Sequence, residues 1–288
     1  MAARTPSLPE FLPGDVARRI AAGQHDDPFA VLGPHAQRKA TVVTAFDPGA
    51  ERMVALTAKG EAELHPHPEV RGLFQGKVPS SDYRLRGIGY GGQWDYADAY
   101  RYGPVLGEID EYLLGEGTHR RLWTVLGAHV REHGGARGTH FAVWAPNARR
   151  VSVVGAFNAW DGRRHVMRRR GATGVWEIFV PGVGEGTPYK YEIIGADGRA
   201  LPLKADPVGF GAEHAPATAS VVRDIAGYGW KDGDWMAARA ARNRRDAPIS
   251  IYEVHLGSWR RKWDQGGRPL SYKEAAEDLV NYADHMGF

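Results

Sequence analysis

Two stretches of this chain, nearly a hundred residues apart, repeat one another, and that constrains the fold more than any single motif. "TVVTAFDPGAERMVAL" begins at Thr41 and "THFAVWAPNARRVSVV" at Thr139, an offset of 98 residues. Each reads as a short alternating strand, a turn built on Pro48 or Pro146, and a second strand. Farther along, "GLFQGKVP" (Gly72 to Pro79) matches "GVWEIFVP" (Gly174 to Pro181) at an offset of 102, and the tyrosine-centred "DYRLRG" and "PYKYEIIG" follow. Such a nearly constant register implies one β-rich module present twice.

Phe141, Val143, Val151, Val153, Trp176, Ile178, Tyr189 and Tyr191 are apolar at alternate positions and are broken by Gly, Pro and Asn turns. This is the period of antiparallel strands with one buried face, and several such strands within ~100 residues predict a β-sandwich. The sequence divides as 1–104, a first β-sandwich module; 105–126, a helical connector; 127–226, a second β-sandwich; 227–248, a linker; and 249–288. The connector shows helical spacing at Ile109, Leu113 and Leu114 and again at Leu122, Val125 and Leu126, with Gly115 and Gly117 as a break. The linker "KDGDWMAARAARNRRDAP" is polar, with room for a helical turn or two. "ISIYEVHLG", from Ile249, lacks a polar alternate face, as a strand buried on both sides would. Behind it, Ser271 and Glu274 form a capping box, Ala276, Leu279, Ala283 and Met286 share one helical face, and Gly287 stands at the C-cap. The predicted fold is mainly β: two tandem antiparallel sandwiches followed by one βα unit.

Composition excludes several function classes. Of the 288 residues, 43% are hydrophobic and 25% charged, enough to build packed cores. A formal charge of +3, from 37 basic and 34 acidic residues, is too small for the basic stripe of a nucleic-acid binder. With no cysteine there is no thiol nucleophile, disulfide framework or thiolate metal site, which fits a reducing compartment. No segment has the apolar core of a signal peptide or the ~18 apolar residues of a membrane span. The expectations are a cytoplasmic protein, no membrane partner and no cofactor.

"DAPISIYEVHLGSWRR" (Asp246 to Arg261), "VVGAFNAWDGRRHVMRRRGATGVWEIFVPG" (Val153 to Gly182), "YKYEI" (Tyr189 to Ile193) and "HDDPFAVLGPH" (His25 to His35) together resemble bacterial 1,4-alpha-glucan (glycogen) branching enzymes. The resemblance implies that the sandwiches are the family's tandem carbohydrate-binding-type modules and that 249–288 begins a truncated α-amylase-type (β/α)8 barrel. It also implies the reaction: cutting an α-1,4 bond and passing the segment to a 6-hydroxyl, through a covalent glycosyl-enzyme. The implied partner is an α-glucan, and the full-length enzyme is expected to be a monomer. Retaining chemistry needs two carboxylates about 5–5.5 Å apart. In the family these stand on later barrel strands. A barrel takes ~250 residues, whereas Ile249 to Phe288 supplies 40. No catalytic residue is therefore assigned, and the chain alone is expected to be inactive. Two alternatives stay open: a non-catalytic glycan-binding or regulatory module, and a related debranching or trehalose-releasing hydrolase.

Candidate binding residues follow. Trp160, with Asn158 in the turn "FNAWDG", is placed to stack on the apolar face of a sugar, and Lys190 of "YKYE" matches the lysine that related modules pair with that tryptophan. Those modules carry a second tryptophan where Ala200 stands here, and Trp160 could instead pack on a neighbouring domain. His255 is a candidate for lining a completed active site, because it falls towards the carboxyl end of the expected barrel strand. Glu253 and Asp264 read as a packed or ion-paired strand glutamate and a solvated loop aspartate. Trp144 and Trp176 read as core, and His65 and His67 as a surface turn rather than metal ligands. Arg168, Arg169 and Arg170 read as a solvated basic turn.

Overall fold

The structure, a computed structural model, describes residues 11–37 and 40–288; the first ten residues of the 1–104 module lie outside that range. It contains two compact units, one ending at Gly227 and the other running Tyr228–Phe288.

The first module opens with α1 (Gly14–Ala21) and seven strands: β1 (Gly33–Gln37), β2 (Ala40–Phe46), β3 (Arg52–Thr57), β4 (Gly60–Pro66), β5 (Leu73–Val78), β6 (Arg84–Gly89) and β7 (Gly92–Tyr96). They form one antiparallel sheet in the order β1-β2-β5-β4-β3-β6-β7 rather than two separate sheets. β4 causes this. Its first residues pair with β3, and its last, His65 and Pro66, cross to pair with Gln75 and Phe74 of β5. The sheet thereby curls around Val43, Met53, Leu64, Phe74, Tyr83 and Leu85.

A second helix, α2 (Glu108–Glu116), leads into β8 (Gly127–His133), β9 (Ala136–Trp144), β10 (Arg150–Gly155), β11 (Arg168–Arg169), β12 (Val175–Pro181), β13 (Pro188–Ile194) and β14 (Ser220–Val221). Here the strands make two sheets, β11-β12-β9-β8 and β10-β13-β14. All eight alternating residues singled out in the sequence meet in the core between them. Glycine stops α2 at Gly117 (φ 71°), not at Gly115, which lies inside the helix.

The repeat reaches farther than the strands. β3 and β10 lie 98 residues apart end to end, and α1 and α2 begin 94 apart. His35 Nε2 meets the Leu32 carbonyl at 3.1 Å, as His129 Nε2 meets Leu126 at 3.0 Å. The Tyr83 hydroxyl donates to Asp98 at 2.6 Å, as Tyr189 donates to Asp206 at 2.7 Å. The helix before the second module is thus the counterpart of α1, not only a connector. Gly33 (φ 89°) and Gly127 (φ 102°) hold equivalent tight approaches: a Cβ would stand 2.6 Å from the Tyr100 carbonyl or 2.9 Å from that of Val208.

The second unit holds α3 (Gly233–Arg242), longer than the expected turn or two, α4 (Leu256–Trp259), the two-residue β15 (Arg261–Lys262) and β16 (Arg268–Pro269), and α5 (Tyr272–Met286). The expected strand at Ile249–Gly257 is not formed. The segment has no regular secondary structure up to His255, itself extended, then turns into α4, and no described strand pairs with it. A parallel barrel strand exists only through its neighbours' backbone bonds; hydrophobic side chains alone do not make one. The structure therefore shows no (β/α)8 unit. α5 has the Ser271–Glu274 capping box and the Gly287 cap, but its protected face is turned. Ala275 is buried and Tyr282 half-buried, as are the expected Leu279 and Ala283, whereas Ala276 and Met286 are exposed. Tyr252, Trp259 and Phe288 account for this: Tyr252 packs on both Tyr282 and Phe288, Trp259 packs on Tyr282, and the Trp259 indole donates to the Tyr252 hydroxyl at 2.9 Å. Among the described residues no helix is long and apolar enough to cross a membrane.

Candidate glycan-binding site

β10 ends at Gly155, and the chain enters a tight 3-10 turn over Ala156–Asn158. Asn158 is buried and fixes it: its side-chain oxygen accepts the Gly155 N–H at 3.0 Å, and its Nδ2 donates to the Val153 carbonyl at 2.9 Å and to His165 Nδ1 at 3.0 Å. With both ends of the amide used, Asn158 holds the turn rather than offering itself to a ligand. Ala159 and Trp160 follow with φ of 56° and 58°, a left-handed pair that costs non-glycine residues on the order of 1–3 kcal/mol each. Backbone bonds from Trp160 N to the Gly155 carbonyl (2.9 Å) and from Ala159 N to the Ala156 carbonyl (3.2 Å) offset part of that cost. The outcome is a tryptophan 40% exposed on a rigid turn.

Lys190 stands in β13 opposite Val154, two residues before the turn begins. Its ammonium donates to the Thr218 hydroxyl at 2.7 Å. Trp160, Asn158 and Lys190 are thus gathered at one end of the β10–β13 pair. His255 belongs to the other unit, exposed, its Nδ1 2.9 Å from the Ser258 hydroxyl. Glu253 and Asp264 are exposed there as well.

Several side chains depart from the expectation. Trp144 is 58% exposed, while Trp176 is buried as expected. Trp144 follows core-facing Val143, so strand alternation sends it outward. His67 is buried, its Nε2 2.9 Å from the Leu12 carbonyl, rather than lying on a surface turn. The arginine run is only partly solvated: Arg169 is exposed, but Arg168 lies 3.6 Å over the Phe29 ring and Arg170 pairs with Glu111 and Glu177.

These arginines belong to a seam between the modules that sequence reasoning missed. Arg150 donates to the Gly23 carbonyl at 3.0 Å, and Arg164 pairs with buried Asp47 at 2.9 Å. The Val166 N–H donates to the Tyr100 hydroxyl at 2.9 Å, and Arg168 donates to the Tyr102 carbonyl. The first module thus grips the 161–168 segment directly behind the Trp160 turn. No group of three or more His, Cys, Asp or Glu arranged to hold a metal occurs among the described residues.

Residues 14–100 match the family model "alpha-1,4-glucan branching enzyme GlgB, N-terminal domain", and residues 125–209 match carbohydrate-binding module 48 (isoamylase N-terminal domain). Proteins named 1,4-alpha-glucan branching enzyme GlgB are 59% identical over 94% of this chain in Roseobacter denitrificans and 54% identical over 98% in Paramagnetospirillum magneticum. One from Rubrobacter xylanophilus is 54% identical over 95%. The chain spans 38% of the length of each of these relatives. The resemblance read from the sequence holds along nearly the whole chain.

Proposed function

We propose that this chain is the N-terminal part of a bacterial 1,4-alpha-glucan branching enzyme, and that its second module holds an α-glucan on the Trp160 turn. The observation that carries the binding assignment is the exposed tryptophan on a turn locked by Asn158, with Lys190 on the strand paired with the one that leads into it, in the module that matches a carbohydrate-binding family. A ring fixed in this way loses little entropy on binding, so stacking against the C–H face of a glucose is not offset by ordering the site. Lys190 would donate to a sugar hydroxyl, at the expense of its contact with Thr218. One tryptophan is a small platform, and high avidity would come from many glucan ends on one polymer.

The reaction of the whole enzyme would be cleavage of an α-1,4 glucan and transfer of the segment to a 6-hydroxyl, in the cytoplasm and as a monomer. His255 would line the active site once a barrel is completed around it. The two carboxylates that the chemistry requires have no counterpart among Glu253, Asp264 and their neighbours, so the 288 residues by themselves would bind without branching. Trp160→Ala should abolish retardation in a glycogen-containing affinity gel while leaving thermal unfolding nearly unchanged. Equal retardation of both proteins would return Trp160 to a packing role. New isoamylase-sensitive branches on amylose incubated with the chain alone would overturn the assignment of inactivity.

A further inference from the structure

The two modules enclose a cleft of about 740 Å³ that lies beside the Trp160 turn without including Trp160. One wall is the β6–β7 hairpin with Arg84, Trp94 and Tyr96; the other is the β8–β9 turn with Arg137, together with Phe157 and His165. Its volume falls in the range of ~300–1,000 Å³ that encloses most of a drug-sized molecule, about three hexoses of a glucan.

The lining carboxylates are already engaged. Asp95 takes Arg86 through both oxygens at 2.7 and 2.8 Å, and Asp82 pairs with Arg101 at 2.8 Å. Two guanidiniums are not: Arg84 makes one long contact, 3.5 Å to the Asp95 carbonyl, and Arg137 has no side-chain partner among the described residues. A third donor follows from the turn. Asn158 must present Nδ2 to the Val153 carbonyl and its oxygen to the Gly155 N–H, so its second Nδ2 bond makes His165 Nδ1 an acceptor. Burial pushes the His165 imidazole down to about 4, so near neutrality its one proton sits on Nε2, which has no partner among the described residues.

We infer that this cleft is a second α-glucan subsite, in which Arg84, Arg137 and the His165 Nε2–H donate to hydroxyls of a chain lying against Trp94 and Phe157. The inference rests on the α-glucan reading above. The wall mixes engaged carboxylates, free donors and aromatic rings instead of presenting cations alone, and that suits a neutral polyhydroxylic ligand better than an anion. Because the 156–165 loop borders the cleft with Phe157 and carries Trp160 beyond it, one glucan could engage both places.

The test uses the whole chain with Arg84→Ala and Arg137→Ala combined. Both residues are exposed, and the one charged neighbour they have among the described residues, Asp95 beside Arg84, keeps its two bonds to Arg86, so the melting temperature should move little. Titration with maltotetraose, followed by tryptophan fluorescence, should weaken roughly a hundredfold, the loss of two charge-assisted hydrogen bonds at about tenfold each. Glycogen-gel retardation should fall as well, inorganic phosphate should not displace maltotetraose, and adding Trp160→Ala should remove the remaining retardation. Unchanged binding by the Arg84/Arg137 variant would overturn the cleft and leave Trp160 standing. Weakening in that variant with none in Trp160→Ala would do the reverse. Displacement by phosphate would make the cleft an anion site and overturn the inference.

Discussion

The two modules share single hydrogen bonds and part company in one connection. Between β3 and β5 the first module makes a hairpin, and β4 spends its backbone groups on both neighbours. Between β10 and β12 the second makes the Asn158 turn and only the two-residue β11. Where the first module completes its sheet, the second gives up pairing and uses the freed length to present Trp160. The glycan-binding assignment therefore falls on the copy with the less complete sheet. A loop can be turned to recognition when the frame beneath it is fixed by other contacts.

Equivalent buried positions show how differently the copies fix that frame, and breaking them should have the largest effect. Gln75 and Glu177 occupy the same place, 102 residues apart. Gln75 accepts the Leu12 N–H at 2.8 Å; Glu177 accepts the Leu106 N–H at 2.9 Å and also contacts His140 at 2.8 Å and Arg170 at 3.2 Å. Burial alone would raise the Glu177 pKa, yet His140, the Leu106 N–H and Arg170 hold it below the ordinary range. Glu177→Ala should cost roughly 3–5 kcal/mol, because it leaves buried His140 and two backbone N–H groups without an acceptor and half-buried Arg170 with Glu111 alone. Gln75→Ala should cost only about 1–3 kcal/mol. Urea denaturation of the two variants checks this, and equal losses would mean that the charge adds nothing.

The tyrosine–aspartate pairs should differ less. Asp98 accepts from Tyr83 and from the Tyr100 N–H, whereas Asp206 accepts from Tyr189, from Tyr191 at 3.0 Å and from the Val208 N–H. Asp206→Ala should cost about 3 kcal/mol and Asp98→Ala about 1 kcal/mol less, the worth of one more stranded hydroxyl, again by urea denaturation.

Acid should separate the modules by a smaller margin. Burial holds His165 at about 4, against ~6.5 in the unfolded chain. Between those values the unfolded chain binds the extra proton, so stability falls as pH drops through the window, by roughly 2 kcal/mol at pH 4.5. Burial also pushes His140 down and adds in the same direction. Buried Asp98 and Asp206 are both raised, mainly by burial, and act oppositely, one in each module. His165→Gln should shrink the difference in melting temperature between pH 7 and pH 4.5. An unchanged difference would show that His165 already takes up its proton in the folded state.

The strand pattern of the second core was legible because alternation is local: Phe141 through Tyr191 could be placed from neighbours in the chain. Trp144 was misread as core, although its adjacency to core-facing Val143 was signal enough to send it outward. The shared "VLG" and histidine of "FAVLGPH" and "WTVLGAH" could have shown that the repeat begins before the strands. The destinations of Arg150, Arg164 and Arg168 were not readable, because each partner lies 60 or more residues away and is chosen by how the modules pack. Ile249 to Gly257 misled for the opposite reason: its composition suits a barrel strand, but pairing depends on strands elsewhere.

The smallest effect concerns the seam that ties the copies together. Tyr100 and Val208 each stand two residues after the module's buried aspartate, but only Tyr100 carries a hydroxyl, which accepts the Val166 N–H at 2.9 Å and approaches the Arg164 carbonyl at 3.4 Å. Tyr100→Phe keeps the ring that packs on Phe29 at 4.8 Å and removes only the hydroxyl's two cross-module contacts, the longer of them weak. A net loss of about 1 kcal/mol is expected. It should appear as faster hydrogen exchange at Val166 and along 161–165, with Phe141 and Tyr189 still protected, since that core does not depend on the first module's hydroxyl. If the grip on this segment also steadies the Trp160 turn, glycogen-gel retardation should decrease slightly in the same variant. Unchanged exchange at Val166 would mean that the contacts of Arg150, Arg164 and Arg168 with the first module hold the segment without the Tyr100 hydroxyl.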